Sequence, residues 1–324
     1  LFTYIKIAVD KTQENGLFWL TGSQQFPMMK NVSESLAGRV GILDLQGISL
    51  AEHMNRSETP PFIPTPECIN HRREIANTLP IDDIYFNIWR GSYPHLVMSK
   101  GKTWQQFYQS YITTYIERDV RDYLKIYDLM AFRKFMQVAA ARSGQMLNYR
   151  DISKNVGVSE PTIKSWFNVL QATGLIMLLQ PYSNNLTKRL IKTPKLYFMD
   201  TGLCCFLTKW INPEVLEKGA MAGAILETFV VSEIYKSYIH NGIAPPLYYY
   251  TDKEKHEVDL LIEQAGTLHP IEIKKTASIR NSSFKGFHAL NNLKTPIGHG
   301  CVLCFNDTLI PYNSDIDIVP IGYI

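Results

Sequence analysis

Apolar residues along this chain recur with two different periods, and the switches between them mark out its segments. Near the start, Leu17-Phe18-Trp19-Leu20 is an unbroken apolar run that ends at the polar Thr21-Gly22-Ser23. It predicts a short buried strand, and Val40 to Leu45 predicts a second one after a helix-like stretch from Ser33 to Arg39. Short apolar strands alternating with helices are the pattern of a parallel α/β sheet. Thr59-Pro60-Pro61-Phe62-Ile63-Pro64-Thr65-Pro66 follows; its prolines fit neither a helix interior nor a central strand, so it reads as a linker. From about residue 68 to residue 140 the period is helical. Trp104, Phe107, Tyr108 and Tyr111 stand at i, i+3, i+4 and i+7, Tyr115 continues the stripe, and Glu117-Arg118-Asp119 reads as a solvated or salt-bridged face.

Tyr149 to Leu175 carries a helix–turn–helix pattern. Asp151-Ile152-Ser153-Lys154 closes a first helix, Val156-Gly157-Val158 makes the turn, and Ser159 is a good N-cap with Pro161 tolerated in the first turn. Ile163, Trp166, Phe167 and Leu170 then form the buried face of the second helix. Glu160, Thr162, Lys164, Ser165 and Asn168 point outward, where a recognition helix would present base-reading side chains. Leu175 to Leu179 and Lys195 to Met199 can pair as the strands of a wing. Between them Lys188, Arg189 and Lys192 cluster positive charge suited to phosphate contact, which makes DNA the expected partner. A packing module between domains is the alternative role.

The richest chemistry lies toward the C-terminus. Ala222 to Ile234 predicts a helix carrying Glu227. Glu257 to Ile262 alternates as a strand, Gly266 makes a turn, and His269-Pro270-Ile271-Glu272-Ile273-Lys274 returns as a second strand. Glu272 and Lys274 share a strand face, and Asp259 reaches the same face if the hairpin pairs in register. Asp259 followed by Glu272-x-Lys274 resembles the PD-(D/E)xK nuclease fold. Two carboxylates, Asp259 and Glu272, can bind a hard cation such as Mg²⁺ through oxygen, and Lys274 can orient or deprotonate an attacking water. Glu227 would add a metal or water ligand from the helix. A salt-bridged Glu272–Lys274 pair in an inactive nuclease-like fold is the competing reading.

Composition changes this picture little. A net charge of +3 is mildly basic and does not by itself call for nucleic acid. No run of 18 or more apolar residues and no secretory signal is present, so no membrane span and a reduced, cytoplasmic setting are expected. Cys301 and Cys304 form a C-x-x-C inside the apolar Cys301-Val302-Leu303-Cys304-Phe305, without a second ligand pair, and predict a buried strand rather than a zinc site. Cys204 and Cys205 predict core positions.

Gly101-Lys102-Thr103 is the one tripeptide that could end a P-loop, but Leu96 stands where the first glycine is needed, so it reads as the turn before the Trp104 helix. Even so, several stretches resemble AAA-type ATPases that carry a C-terminal domain of unknown function. They are Phe18-Trp19-Leu20-Thr21-Gly22-Ser23, Ser33 to Arg39, Gly91-Ser92-Tyr93-Pro94, Tyr115-Ile116-Glu117-Arg118-Asp119-Val120 and Lys192 to Leu203. The resemblance implies Thr21 or Ser23 near a γ-phosphate and Arg39 acting on phosphate charge. The plain alternative is a strand-to-loop turn and a surface cation. The resemblance also puts both Mg-ATP motifs upstream of Leu1, so the chain reads as truncated and ATP is expected only in a full-length form.

The expected fold class is therefore α/β: a partial AAA-type parallel sheet with a helical lid, a winged helix, and a C-terminal α/β restriction-endonuclease-like domain. The expected domains are 1–58 (ATPase remnant), 59–135 (helical lid or linker), 136–215 (winged helix) and 216–324 (nuclease-like). A DNA-associated protein with metal-dependent nuclease chemistry is the first functional reading. A non-catalytic protein-interaction or regulatory module, with a protein partner or a homo-oligomer, is the second.

Overall fold

A computed structural model describes residues 1–12, 14–21, 36–114, 128–184 and 192–324. Two compact units divide the chain, Leu1–Asp44 with Ser110–Leu129 and Leu45–Gln109 with Met130–Ile324. In the first, helix α1 (Phe2–Thr12) buries Ile5 against Leu36, with Phe2, Val9 and Leu20 packed around them. The two strands expected there are not formed. Residues 17–21 and 40–46 are irregular, with Trp19 85% and Leu43 74% exposed. A buried parallel strand needs a hydrogen-bonded neighbour for its backbone, and among the described residues neither segment has one. The expected partial parallel sheet is corrected accordingly. Of the stretch from Ser33, residues 33–35 lie outside the described residues and 37–39 form a turn.

The second unit begins with short helices: α2 (Leu50–His53), α3 (Pro66–Ile75), α4 (Ile81–Arg90), α5 (Pro94–Met98) and α6 (Trp104–Tyr111). Ser49 and Glu52 form a capping box on α2, and Thr65 caps α3 with Pro66 in its first turn. The proline-rich stretch before α3 is packed down rather than free. Phe62 is fully buried, its N–H donates to Ser237 Oγ at 3.1 Å, and its carbonyl accepts from Tyr238 Oη at 3.2 Å. Gly101-Lys102-Thr103 is a turn, with Gly101 at φ +75°, leading into α6, where Trp104 and Tyr108 are buried. Tyr115 to Val120 lies outside the described residues.

Next come α7 (Leu129–Ala140), β1 (Gln145–Met146), α8 (Tyr149–Val156), α9 (Glu160–Ala172), β2 (Ile176–Leu179) and β3 (Lys195–Phe198). The three strands make an antiparallel sheet in the order β1-β3-β2. Asn148 caps α8, which ends where Gly157 turns left-handed at φ +92°, and Ser159 caps α9. Ile163, Trp166, Phe167 and Leu170 are all buried, with Phe132 and Phe135 of α7 against the Trp166 ring. The apolar stripe of α9 therefore packs as its spacing predicts.

The rest is α10 (Thr201–Leu207), α11 (Pro213–Lys218), α12 (Ala222–Ile239), β4 (Leu247–Thr251), β5 (Glu257–Gln264), β6 (Thr267–Ile273), α13 (Lys285–Leu290), β7 (Gly300–Cys304), β8 (Ile310–Pro311) and β9 (Ile316–Pro320). A six-stranded mixed sheet runs β4-β5-β6-β7-β9-β8. β4, β5 and β6 are antiparallel neighbours, whereas β6, β7 and β9 run parallel. Every residue of β7 is buried, Cys301 and Cys304 included, as its unbroken apolar run predicts, and Cys204 and Cys205 are buried in α10. α12 is apolar nearly all round and is buried nearly all round. It extends to Ile239, one turn and more past the expected Ile234. Among the described residues, no helix is long and apolar enough to cross a membrane.

Candidate functional site

Four elements of the second unit, β3, α12, β5 and β6, bring charged side chains together. The β5–β6 register pairs Leu260 with Ile271 and Leu261 with Pro270, so Asp259 stands one step further on, opposite Glu272. Directly opposed residues on antiparallel strands share a face. Asp259 Oδ2 accepts the Ile273 N–H at 2.8 Å, which fixes the carboxylate at the end of the hairpin ladder. Lys274, two residues beyond Glu272, lies on the same face with its Nζ 2.5 Å from Glu272 Oε1. The other carboxylate oxygen, Glu272 Oε2, is buried and has no hydrogen-bond partner.

Glu227 enters from α12, in the middle of a helix whose neighbouring positions are core. Its Oε1 accepts from Lys195 Nζ at 2.9 Å and from Tyr197 Oη at 2.6 Å. Both donors sit on β3, in the three-stranded sheet. Lys195 also pairs with Glu257 at the start of β5 and lies 5.5 Å from the centre of the Tyr249 ring. Its side chain is only 4% exposed. A lysine that deep is rare unless it is paired.

The electrostatics agree with this geometry. Burial, then the Asp259 charge, pushes the Glu272 carboxyl up to about 8, against the pull of Lys274. Burial and Asp259 likewise push Glu227 up to about 7, with Lys195 and Tyr197 opposing. Burial raises Asp259 as well, although Lys195 and Lys274 hold it down. Both lysines are raised against the effect of their own burial, Lys195 chiefly by Glu227 and Lys274 chiefly by Asp259. Glu227, Asp259, Glu272 and Lys274 thus feel one another, as expected for residues that converge. Glu227, Asp259 and Glu272 do not all offer ligand atoms within 4.8 Å of one another. Among the described residues, the grouping whose ligand atoms all lie within 4.8 Å of one another is Asp252, Glu254 and His256, in the β4–β5 turn.

Asp259 and Glu272 fit a hard cation. Both are oxygen donors on one face, and the orphaned Glu272 Oε2 is a buried acceptor that a cation would satisfy. Sequence reasoning missed Lys195, Tyr197 and Glu257. The available signal was a lysine heading Lys195-Leu196-Tyr197-Phe198-Met199, a run with no polar alternation to place it on a solvent face.

The remaining candidates are dispersed. Thr21 is exposed and follows no strand, which removes the geometry expected of a phosphate-sensing strand end, and Ser23 lies outside the described residues. Arg39 is ion-paired with Asp10 at 2.5 Å. On α9, Lys164, Ser165 and Asn168 are exposed, but Lys164 is 2.9 Å from Glu160 and 5.3 Å from the Tyr149 ring centre. Lys192 is exposed, while Lys188 and Arg189 lie outside the described residues.

Two of the motifs singled out in the sequence meet in space. Asp200 Oδ2 accepts from the Ser92 N–H at 2.7 Å and the Ser92 hydroxyl at 2.9 Å. Asp200 Oδ1 accepts from Tyr108 Oη and the Leu203 N–H, both at 2.6 Å. Gly91 and Gly202 allow this approach, since a Cβ on either would fall within 2.2 Å of Tyr108 Oη. This knot closes the helical segment onto the strand that carries Lys195.

Three family models match the chain. Residues 1–54 match an AAA domain, residues 81–214 a domain of unknown function (DUF8612), and residues 222–324 a domain of unknown function (DUF4143). Each covers less than half of the chain, and two of the three are domains of unknown function. The last match begins at the first residue of α12, so Lys195 and Tyr197 come from the second matched region and the four expected site residues from the third. Similar proteins are the uncharacterized protein Mb2031c of Mycobacterium bovis and the uncharacterized protein Rv2008c of Mycobacterium tuberculosis. Each is 25% identical over 282 residues, which cover 86% of this chain and 56% of the relative. The chain thus spans about half the length of the curated relatives it matches. No solved structure matches it.

Proposed function

We propose that this chain carries a cation-dependent phosphodiester-cleaving centre of the PD-(D/E)xK kind, beside a winged-helix DNA-binding domain, in a protein of AAA-type ATPase ancestry. The observation that carries this reading is the buried, unpartnered Glu272 Oε2 on the same face as Asp259 and Lys274. The order of elements supports it: a helix, three antiparallel strands, a helix and a strand parallel to the third. Asp259 and Glu272 would hold Mg²⁺, with the Ile273 carbonyl as a further ligand. The ion would draw charge from the phosphodiester oxygens. Lys274, a third exposed and kept as the ammonium by Asp259 and Glu272, would orient the attacking water and steady the charge that develops on the phosphodiester. The helix, strand, two-helix and two-strand succession from α7 to β3 supports the winged helix. In it Ser165 and Asn168 on α9 would meet base edges, and Lys188, Arg189 and Lys192 would supply the phosphate contacts expected from their sequence.

A second reading has its own observation. Lys195 and Tyr197 already engage Glu227, as they would in an inactive fold kept as a protein-interaction module. Incubation of supercoiled plasmid with the chain and Mg²⁺ separates the two. Nicking by the wild type that disappears in Asp259→Asn supports the centre. Equal nicking by both, or none by either, leaves the interaction module.

A further inference from the structure

Lys195 is more than a packing contact. Strand β3 is held in its sheet by Leu196, Tyr197 and Phe198, all fully buried, and needs no lysine for that. The ammonium instead lies among the carboxylates, bonded to Glu227 and Glu257 and within the field of Asp259. The charges facing one another are Glu227, Glu257, Asp259 and Glu272 against Lys195 and Lys274. Once a cation has displaced the protons that crowding retains, four negative and two positive charges leave a deficit equal to one divalent cation. Without Lys195 the deficit would be three. Two-cation centres hold their ions about 3.5–4 Å apart and need carboxylates free to bridge or flank both. Here Glu227 Oε1 takes two donors at once, Lys195 at 2.9 Å and Tyr197 at 2.6 Å, and is thereby turned toward β3.

We propose that Lys195 stands in place of a second cation: delivered from β3, it holds Glu227 away from the Asp259–Glu272 pair, so that the centre takes one divalent ion. The inference rests on the carboxylate-centre reading and deepens it. Lys195 is a positioning residue, since it acts on a carboxylate and not on a substrate. It also makes the centre a joint product of the three-stranded and six-stranded sheets, which explains why the lysine is buried at their meeting and not on either surface.

The test is a titration of the full chain with Mn²⁺, free ion being read by electron paramagnetic resonance. The wild type should bind one Mn²⁺ and Asp259→Asn none. Lys195→Met should bind two, with the broadened signal of a spin-coupled pair, and Lys195→Arg should bind one. Two ions in the wild type, or one in a Lys195→Met variant whose circular dichroism matches the wild type, overturns the proposal. Should Lys195→Met not fold, Glu227→Gln decides: it should keep one Mn²⁺, and loss of that ion overturns the proposal. Zero ions in the wild type would instead sink the carboxylate-centre reading on which it rests.

Discussion

Glu272→Gln should change stability little below about pH 4.5 and raise it progressively as pH climbs into mild alkali. The folded-state pKa of Glu272, pushed up to about 8 by burial and Asp259, lies above its ordinary 4.5. Between those values the folded chain holds a proton that the unfolded chain has released. Stability from this group is therefore fully present below about pH 4.5 and is lost as pH rises through about 8. At about 1.4 kcal/mol per pH unit the loss between about pH 5.5 and pH 8 comes to roughly 3 kcal/mol. Glutamine keeps the shape of the protonated acid and never ionises. Lys274 loses a partner in the variant, but its side chain is a third exposed and can turn to water, so that loss is small. Urea denaturation followed by circular dichroism at the two pH values gives the comparison. The glutamine variant's lead over the wild type should grow by roughly 3 kcal/mol between about pH 5.5 and about pH 8. Mg²⁺ at about one hundred times its Kd should then stabilise the wild type by about 2.7 kcal/mol and leave the variant unmoved. A variant no more stable than the wild type at the higher pH refutes the argument, because Glu272 would then be solvated or fully paired.

Gly202→Ala should destabilise the second unit by roughly 2 kcal/mol or more, read as a lowered urea midpoint, because the new Cβ meets Tyr108 Oη, the Arg90 carbonyl and Gly91 Cα inside van der Waals distance. Neutralising Lys188, Arg189 and Lys192 together should weaken duplex binding and flatten its salt dependence by about 0.9 in slope per lost phosphate contact. An unchanged slope would remove the wing as a DNA contact.

The elements that could be read from the sequence are those whose signals are local. Gly157, Ser159 and the stripe Ile163–Trp166–Phe167–Leu170 settle a turn, a cap and a face within fourteen residues, and all three stand where expected. The hairpin of β5 and β6 was legible for the same reason, since a turn at Gly266 leaves one register that puts Asp259 across from Glu272. Leu17 to Leu20 and Val40 to Leu45 carry strand composition just as strongly, yet neither is a strand. Composition reports only that a segment can be buried in a sheet; pairing depends on neighbours that are not local.

The same distinction explains the site. Asp259, Glu272 and Lys274 lie within sixteen residues of one another, so strand periodicity alone could bring them together. Lys195 and Tyr197 are joined to Glu227 across 32 and 30 residues, by the docking of one sheet against a helix of the next segment. No period relates those positions. What the sequence did carry was an anomaly: a lysine at the head of an apolar strand, where a solvated face would demand alternation. A buried lysine requires an anion, and a buried glutamate in the apolar α12 requires a cation. Such demands limit the partners open to each residue without choosing among them, since α12 also buries Glu233 and Lys236, which pair with each other. The inference from such pairs is sharpest where each element is apolar on both sides of its charge, because no solvent-facing alternative is then open to either residue.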